Sequence, residues 1–425
     1  MVLDKRKSFK PRATDGGELS RPRGAFSSVP FSIVPMADLK SLDFGKILLI
    51  KLSAIGDVVH TLPVLNKLRR RYPAARIDWL VTPPIDELLH NNPAINNVIE
   101  FSRSEWSAPW RAAPYVSAAR LIAKLRAAEY DLVIDLQGQL RSAVFAFASG
   151  APVRIGFDRP RADRWQTLSR QIPDEAKKHA WQGAREGSFL AYTHHIALPT
   201  LDLHPVERYL HIAPMLGLDD APPDFSFPIP EEATTRIDGL LDYYDMAKKR
   251  LVALAPGTNW DTKQWRREGF AELARHFLQN GCAVILIGSE RERALCEQVA
   301  AGAQGAVNLA GETTLTELAA LIRRAAVCVT NDSGPMHMAV ALGRPVVAVF
   351  GPTDPVWAGP YRRDGAVLNA GVACSPCYLR RLSECPNDHA CMTNVSAAAV
   401  IERAEKLLAK QPAKAGTATR QTGSR

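Results

Sequence analysis

Four short apolar runs in the second half of the chain constrain its fold most, because each ends in a polar turn that carries glycine. Leu251 to Ala255 leads into Pro256-Gly257-Thr258, and Ala283 to Ile287 leads into Gly288-Ser289-Glu290. Val327 to Thr330 leads into Asn331-Asp332-Ser333-Gly334, and Val346 to Phe350 into Gly351-Pro352-Thr353-Asp354-Pro355. Runs this short, bounded by turn residues, suit strands buried on both faces. Strands alternating with helical segments form a parallel α/β sheet. Such sheets bind ligands at the carboxyl ends of their strands, so four polar loops on one edge point to a ligand site.

The third loop shows what kind of ligand. Thr330 to Ala339 joins a strand to a helix, and a helix N-terminus leaves amide N–H groups unpaired and carries about half a positive charge. Gly334 lets a ligand approach the backbone, Ser333 can cap or donate, and Pro335 suits the first helical turn. Alone, this is either an ordinary capped turn or a phosphate cradle; the other three loops favour the cradle. Thr258 and Lys263 add a hydroxyl and a cation for phosphate oxygens. Glu290 or Glu292 can accept from ribose hydroxyls, or can simply start a solvated helix.

The first half repeats the pattern. Lys46 to Lys51 is a buried-strand run followed by a turn and a helix through Arg71. Arg76 to Val81, Asn97 to Phe101 and Asp131 to Leu136 are expected as further strands, and Ala118 to Ala128 as an amphipathic helix. Asp57, just after Gly56 at the start of the first helix, is either a cap or a general base beside the cleft. Asp135 and Gln137, at another strand end, should face the same cleft. Residues from Arg154 to His195 read as irregular and basic, with Arg154, Arg159, Arg161, Arg164, Arg170, Lys177, Lys178 and Arg185 suited to an anionic acceptor.

The expected organisation is a disordered basic extension (1–43), a first parallel α/β domain (44–220), a proline-rich linker (221–234), a second α/β domain that carries the four polar loops (235–410) and a disordered tail (411–425). Met36, just before the first folded segment, is a candidate for the true translation start. Ser396 should cap a final helix running to about Ala409. A net charge of +9 favours an anionic partner. Nothing resembles a basic recognition helix or an aromatic-studded sheet, so no nucleic acid is expected. No apolar run approaches the roughly 20 residues that span a bilayer, and no secretory leader is seen, so a cytoplasmic protein is expected. Three of the seven cysteines lie in apolar segments, whereas Cys374, Cys377, Cys385 and Cys391 cluster late in the chain. That cluster reads as a zinc site, as reduced structural cysteines or as a labile disulfide.

Together, Lys51-Leu52-Ser53-Ala54-Ile55-Gly56-Asp57-Val58-Val59-His60-Thr61-Leu62-Pro63, Asp135-Leu136-Gln137-Gly138, Lys263-Gln264-Trp265, Asn331-Asp332-Ser333-Gly334 and Phe350-Gly351-Pro352-Thr353-Asp354-Pro355 resemble glycosyltransferase family 9. Those are the lipopolysaccharide heptosyltransferases, and the first motif is closer to type I. The resemblance, from about Lys46 to Ala409, implies the GT-B arrangement of two facing Rossmann-like domains. It also implies inverting, metal-independent transfer from ADP-heptose to a lipid A–Kdo acceptor, without cofactor. Asp57 would be the base. Lys263, Thr258 and Asn259 would hold the diphosphate, completed by Asp332, Ser333, Gly334 and His337. Gly56, His60, Asp135, Gln137 and Arg154 would lie on the acceptor side. A monomer working at the inner face of the inner membrane is expected. The alternatives are a relative using another nucleotide sugar and a non-catalytic nucleotide-sugar-binding protein.

Overall fold

In the first half, the apolar runs form β1 (Lys46–Ile50), β2 (Arg76–Val81), β3 (Asn97–Glu100), β4 (Leu132–Asp135), β5 (Val153–Phe157) and β6 (His194–Ile196). These pair in parallel in the order β3-β2-β1-β4-β5-β6. In the second half, β7 (Leu251–Ala255), β8 (Ala283–Leu286), β9 (Val307–Asn308), β10 (Val327–Asn331), β11 (Val346–Val349) and β12 (Val367–Leu368) pair as β12-β11-β10-β7-β8-β9. Counted from its own first strand, the second sheet has the same order as the first, the doubly wound Rossmann order. The chain reverses direction between β1 and β4 in one sheet and between β7 and β10 in the other. Those are the switch points at which such sheets bind ligands.

The coordinates, a computed structural model, describe residues 38–102, 113–159 and 183–410. The expected extension up to residue 37 and tail from residue 411 lie outside them, as do Arg161, Arg164, Arg170, Lys177 and Lys178. All described residues belong to one compact unit, Asp38–Arg425. Order begins before residue 43: Leu39–Ser41 make a 3₁₀ turn capped by Asp38, because Leu39 and Phe44 have a core to enter.

Among the described residues, helices of six or more residues are α1 (Ile55–Arg71), α2 (Ala113–Ala127), α3 (Leu140–Ala148), α4 (Pro205–Leu210), α5 (Glu231–Tyr243), α6 (Arg267–Gln279), α7 (Arg293–Ala301), α8 (Leu315–Arg324), α9 (Gly334–Ala341) and α10 (Ala397–Ala409). The Ser396 hydroxyl accepts from the Ala399 amide and starts α10 as expected. Strand side chains alternate: Ile47 and Leu49 pack towards α1, while Leu48 and Ile50 pack on the other face with Phe145 and Tyr192. The Pro-rich segment before α5 has no regular structure and is held on α1. Asn66 Nδ2 donates to Asp224 O and Ser226 O, and Lys67 Nζ donates to Asp219 O, Asp219 Oδ1 and Ala221 O.

The irregular reading of Arg154 to His195 needs correction at both ends. Arg154 to Phe157 belongs to β5, and His194 opens β6. A short strand interrupted by arginine and glycine gives little apolar signal, and its neighbours in the sheet supply the order that its own sequence does not.

Candidate active site

The first half presents its chemistry where β1 gives way to α1. Asp57 is the third residue of α1, and its Oδ2 accepts from the Ala54 amide 3.2 Å away. The cap role read from spacing is therefore real, and it occupies one oxygen. The other, Oδ1, accepts from the Tyr209 hydroxyl at 2.7 Å and lies 3.6 Å from Lys51 Nζ. Lys51 is 3% exposed, and its ammonium also donates to Tyr209 Oη at 2.8 Å and Leu136 O at 2.9 Å. Burial opposes charge on Asp57, but Lys51, the Tyr209 hydroxyl and the Ala54 amide outweigh it and hold the carboxyl below its usual range. Burial likewise lowers Lys51, with Asp57 and Asp135 resisting.

In the second half, Asn331 closes the switch point. Its Nδ2 donates to Pro256 O at 2.7 Å, and its Oδ1 accepts from the Trp265 amide at 3.1 Å. This fixes the β7 loop and the Lys263 turn together. Lys263 Nζ sits 2.6 Å from Asp332 Oδ2 and 4.2 Å from the centre of the Trp260 ring. Thr353 Oγ1 donates to the same Asp332 oxygen, and Thr258 Oγ1 donates to Asp332 O. Ser333 occupies the N-cap position of α9 without a side-chain cap bond, so the first amides of that helix are not consumed by it.

The two halves meet at the N-termini of α1 and α9. A Cβ on Gly56 would lie 2.3 Å from His337 Cδ2, and one on Gly334 would lie 3.2 Å from Ile55 Cβ, so glycine permits this approach. His60 Nε2 is 2.9 Å from His337 Nδ1, and His60 Nδ1 is buried without a hydrogen-bond partner. A bare acceptor costs less than an orphaned N–H, so the fitting tautomer has His60 donating through Nε2. His337 then keeps a proton on Nε2 and is a donor where it lines the cavity. Burial pushes both imidazoles below their usual range.

Between the halves lies a cavity of about 650 Å³, the size of many ligand sites. It gathers Gly56, Asp57 and His60 with Thr258, Asn259, Lys263, Glu290, Glu292, Asp332, Ser333, Gly334 and His337. The two glutamates are not equivalent. Glu290 is tied to Arg293, whereas Glu292 uses Oε2 to cap Ser289 and lays Oε1 against Gly257.

Three expected acceptor residues are not among the cavity's walls. Asp135 is fully buried; it continues the face of Val133 and accepts from the Gln137 and Gly138 amides and the Tyr192 hydroxyl. The pleat turned it away from α1, a direction that its sheet-edge position alone does not give. Gln137 Oε1 accepts from the Leu52 and Ser53 amides and braces the Asp57 loop. Arg154 spends its guanidinium on Ala191 O and Ala151 O over the Phe147 ring.

The sequence reading missed Lys51, Tyr209 and Glu87. Lys51 had a signal: it continues the Ile47, Leu49 face of β1 towards α1, where a buried ammonium needs an acid. Glu87 lines the cavity and its Oε2 accepts from the Leu315 amide at 2.7 Å. The four late cysteines are free thiols. Burial, reinforced by their mutual repulsion, pushes Cys377 and Cys391 up, Cys391 to about 12. Among the described residues, the group with three ligand atoms within 4.8 Å of one another is Asp86, His90 and Glu100 and not the cysteines. The cysteine segment instead buttresses the Lys263 turn: Thr262 Oγ1 donates to Leu379 O, and His389 Nε2 to Thr262 O.

The model of glycosyltransferase family 9 (heptosyltransferase) matches residues 118–183 and 175–387. The chain belongs to that family. This family 9 glycosyltransferase is 29% identical to lipopolysaccharide heptosyltransferase 1 of Pseudomonas aeruginosa over 81% of its own length and 89% of the relative's. Its fold matches E. coli heptosyltransferase WaaC with ADP-2-deoxy-2-fluoro heptose at TM-score 0.62 and 26% identity, covering 85% of this chain and 99% of that one. It matches E. coli ADP-heptose lps heptosyltransferase II at TM-score 0.61 and 25% identity, covering 86% and 98%. Two facing Rossmann-like domains of the GT-B kind are therefore its architecture. Among the described residues no helix is long and apolar enough to cross a membrane.

Proposed function

We propose that this glycosyltransferase moves heptose from ADP-L-glycero-D-manno-heptose to the Kdo–lipid A inner core of lipopolysaccharide, with inversion and without a metal in the chemistry. The observation that carries the reading is one cavity with an ionised carboxylate, Asp57, on one wall and a lysine-and-amide cradle on the other. The structure solved with an ADP-heptose analogue shares this fold and supports the donor.

In this reading the donor diphosphate lies along the N-terminus of α9, with Lys263, Asn259 and His337 Nε2 donating to it and the Thr258 hydroxyl turning to it from Asp332 O. Asp332 is acidic and would repel phosphate; its part is to hold Lys263 in place until phosphate oxygens compete for the ammonium. Glu292 Oε1 takes a ribose hydroxyl. Asp57 keeps a lone pair on each oxygen beyond its bonds to Ala54 and Tyr209. As the acceptor oxygen attacks the anomeric carbon, the C–O bond to ADP breaks, Asp57 takes the hydroxyl proton and the cradle stabilises charge on the departing diphosphate. A carboxyl held below its usual range is a weak base in the ground state. It is charged throughout the neutral range, and it becomes competent as attack acidifies the hydroxyl.

In this reading the protein works as a monomer at the cytoplasmic face of the inner membrane, where such an acceptor is presented. Similarity to the type I and II structures is nearly equal, so the acceptor is tested directly. Incubation with ADP-heptose and Kdo–lipid A, with and without chelator, is expected to give an equal yield of monoheptosylated product. Transfer only to an acceptor already bearing heptose would reassign it as type II. Preference for a UDP- or GDP-sugar would remove the donor assignment, and loss of product with chelator would remove metal independence.

A further inference from the structure

We propose that Asp86, His90 and Glu100 form a structural site for a divalent transition-metal ion, with zinc as the fitting ion, behind the wall of the cavity. Asp86 belongs to the 3₁₀ turn Ile85–Leu88, His90 follows four residues later, and Glu100 ends β3. Each offers a ligand atom within 4.8 Å of the other two. Asp86 Oδ2 and His90 Nε2 are 3.1 Å apart. The two atoms share a hydrogen bond here; two ligands about 2.1 Å from a tetrahedral zinc ion lie about 3.4 Å apart, so an ion replacing that proton needs little movement of the pair. Glu100 is exposed and free to swing the remaining distance.

A second observation comes from Asp86 itself. The residue is 8% exposed, its Oδ1 is buried without a hydrogen-bond partner, and among the described residues no lysine or arginine pairs with it. A buried carboxylate oxygen lacking any partner calls for a cation. Two carboxylates and a neutral imidazole balance a divalent charge, and zinc accepts that mixed nitrogen and oxygen set, with water completing the shell. The ion would clamp the turn to the end of β3. Next to Asp86 in that turn is Glu87, which reaches the Leu315 amide in the other half. Metal here would thus stiffen one of the contacts that hold the cavity closed, without touching the reacting atoms.

The test is calorimetric zinc titration of the full chain beside His90→Ala and Glu100→Gln. Glu100 lies at the surface and Glu100→Gln should melt with wild type in chelator, whereas His90→Ala also removes the bond to Asp86 Oδ2 and should melt lower, so each variant is compared with its own chelated state. Each is expected to weaken binding at this site about tenfold or more, since even changes beyond the ligands themselves cost 10–100-fold. The rise in melting temperature that zinc gives the wild type should vanish in both. Cobalt separates this site from the cysteines: nitrogen and oxygen ligands give weak visible bands, and thiolates give strong near-ultraviolet charge transfer. The variants should lose the former and leave the latter unchanged. No zinc uptake by wild type, unchanged affinity and stoichiometry in both variants, or only a thiolate band would overturn the proposal.

Discussion

Asp57 has two tasks that pull in different directions. The Ala54 amide and the Tyr209 hydroxyl fix its position, while Lys51 keeps it charged. Asp57→Asn keeps the shape and the Ala54 bond but cannot take a proton. Transfer should fall by roughly 10²–10⁴-fold, with ADP affinity by calorimetry nearly unchanged; wild-type turnover would dismiss Asp57 as base. Lys51→Met tests the charge. Burial pushes Asp57 up and Lys51 is its largest opponent, so removing Lys51 must raise the carboxyl. The base then protonates at higher pH, and the acid limb of the kcat/KM profile should move upward; an unmoved limb would separate Lys51 from the base. Asp57 and Lys263 were legible because each sits a fixed few residues beyond a recognisable strand. Tyr209 was not, since it reaches Asp57 across 152 residues of sequence, and no local pattern records that meeting.

At the scale of elements, strand runs and the Ser396 cap were readable because they rest on local periodicity and turn chemistry. The edge strands β6, β9 and β12 and the interior strand β5 were not, being short and ordered chiefly by their neighbours. Nor did any local signal show the N-termini of α1 and α9 meeting. Gly56→Ala should force His337 aside, costing about 1–3 kcal/mol of stability as overpacking does, and should weaken ADP binding; an unchanged melting temperature would argue against the tight approach. The histidines where these elements meet carry a pH signature. His60 and His337 are lowered, and His204, 3.0 Å from Gly359 O through Nε2, is lowered to about 3, in each case first by burial. Below about pH 6.5 the unfolded chain binds protons that the folded one refuses, so stability falls with pH from there until the folded values are reached. The slope is up to about 1.4 kcal/mol per unit for each imidazole. Melting curves between pH 7.5 and 5 should show the loss, with a shallower slope in His60→Gln.

For the whole molecule, the question is what keeps two similar sheets facing each other around a solvent-filled space. Fixed contacts ring the cavity, His60 with His337, His204 with Gly359 and Glu87 with Leu315, and away from it the linker is held on Asn66 and Lys67. The sequence displayed the duplication, through strand-then-glycine units in both halves, but not the ring, whose members share no motif. With the walls already held, ADP binding spends little on ordering them, and its affinity should appear almost directly as added stability. A ligand at 100 times its Kd that binds only the folded state contributes about 2.7 kcal/mol. ADP should therefore raise the melting temperature of wild type. In Lys263→Ala the ligand-free temperature should fall, because the buried Asp332 carboxylate loses its cation, so the ADP effect is read as the rise above each protein's own ligand-free value. The ADP-induced rise should shrink sharply there, as the cradle has lost its one full charge on the diphosphate. An equal ADP shift in both proteins would mean that the diphosphate lies elsewhere, and the assignment of the two walls would have to be reversed.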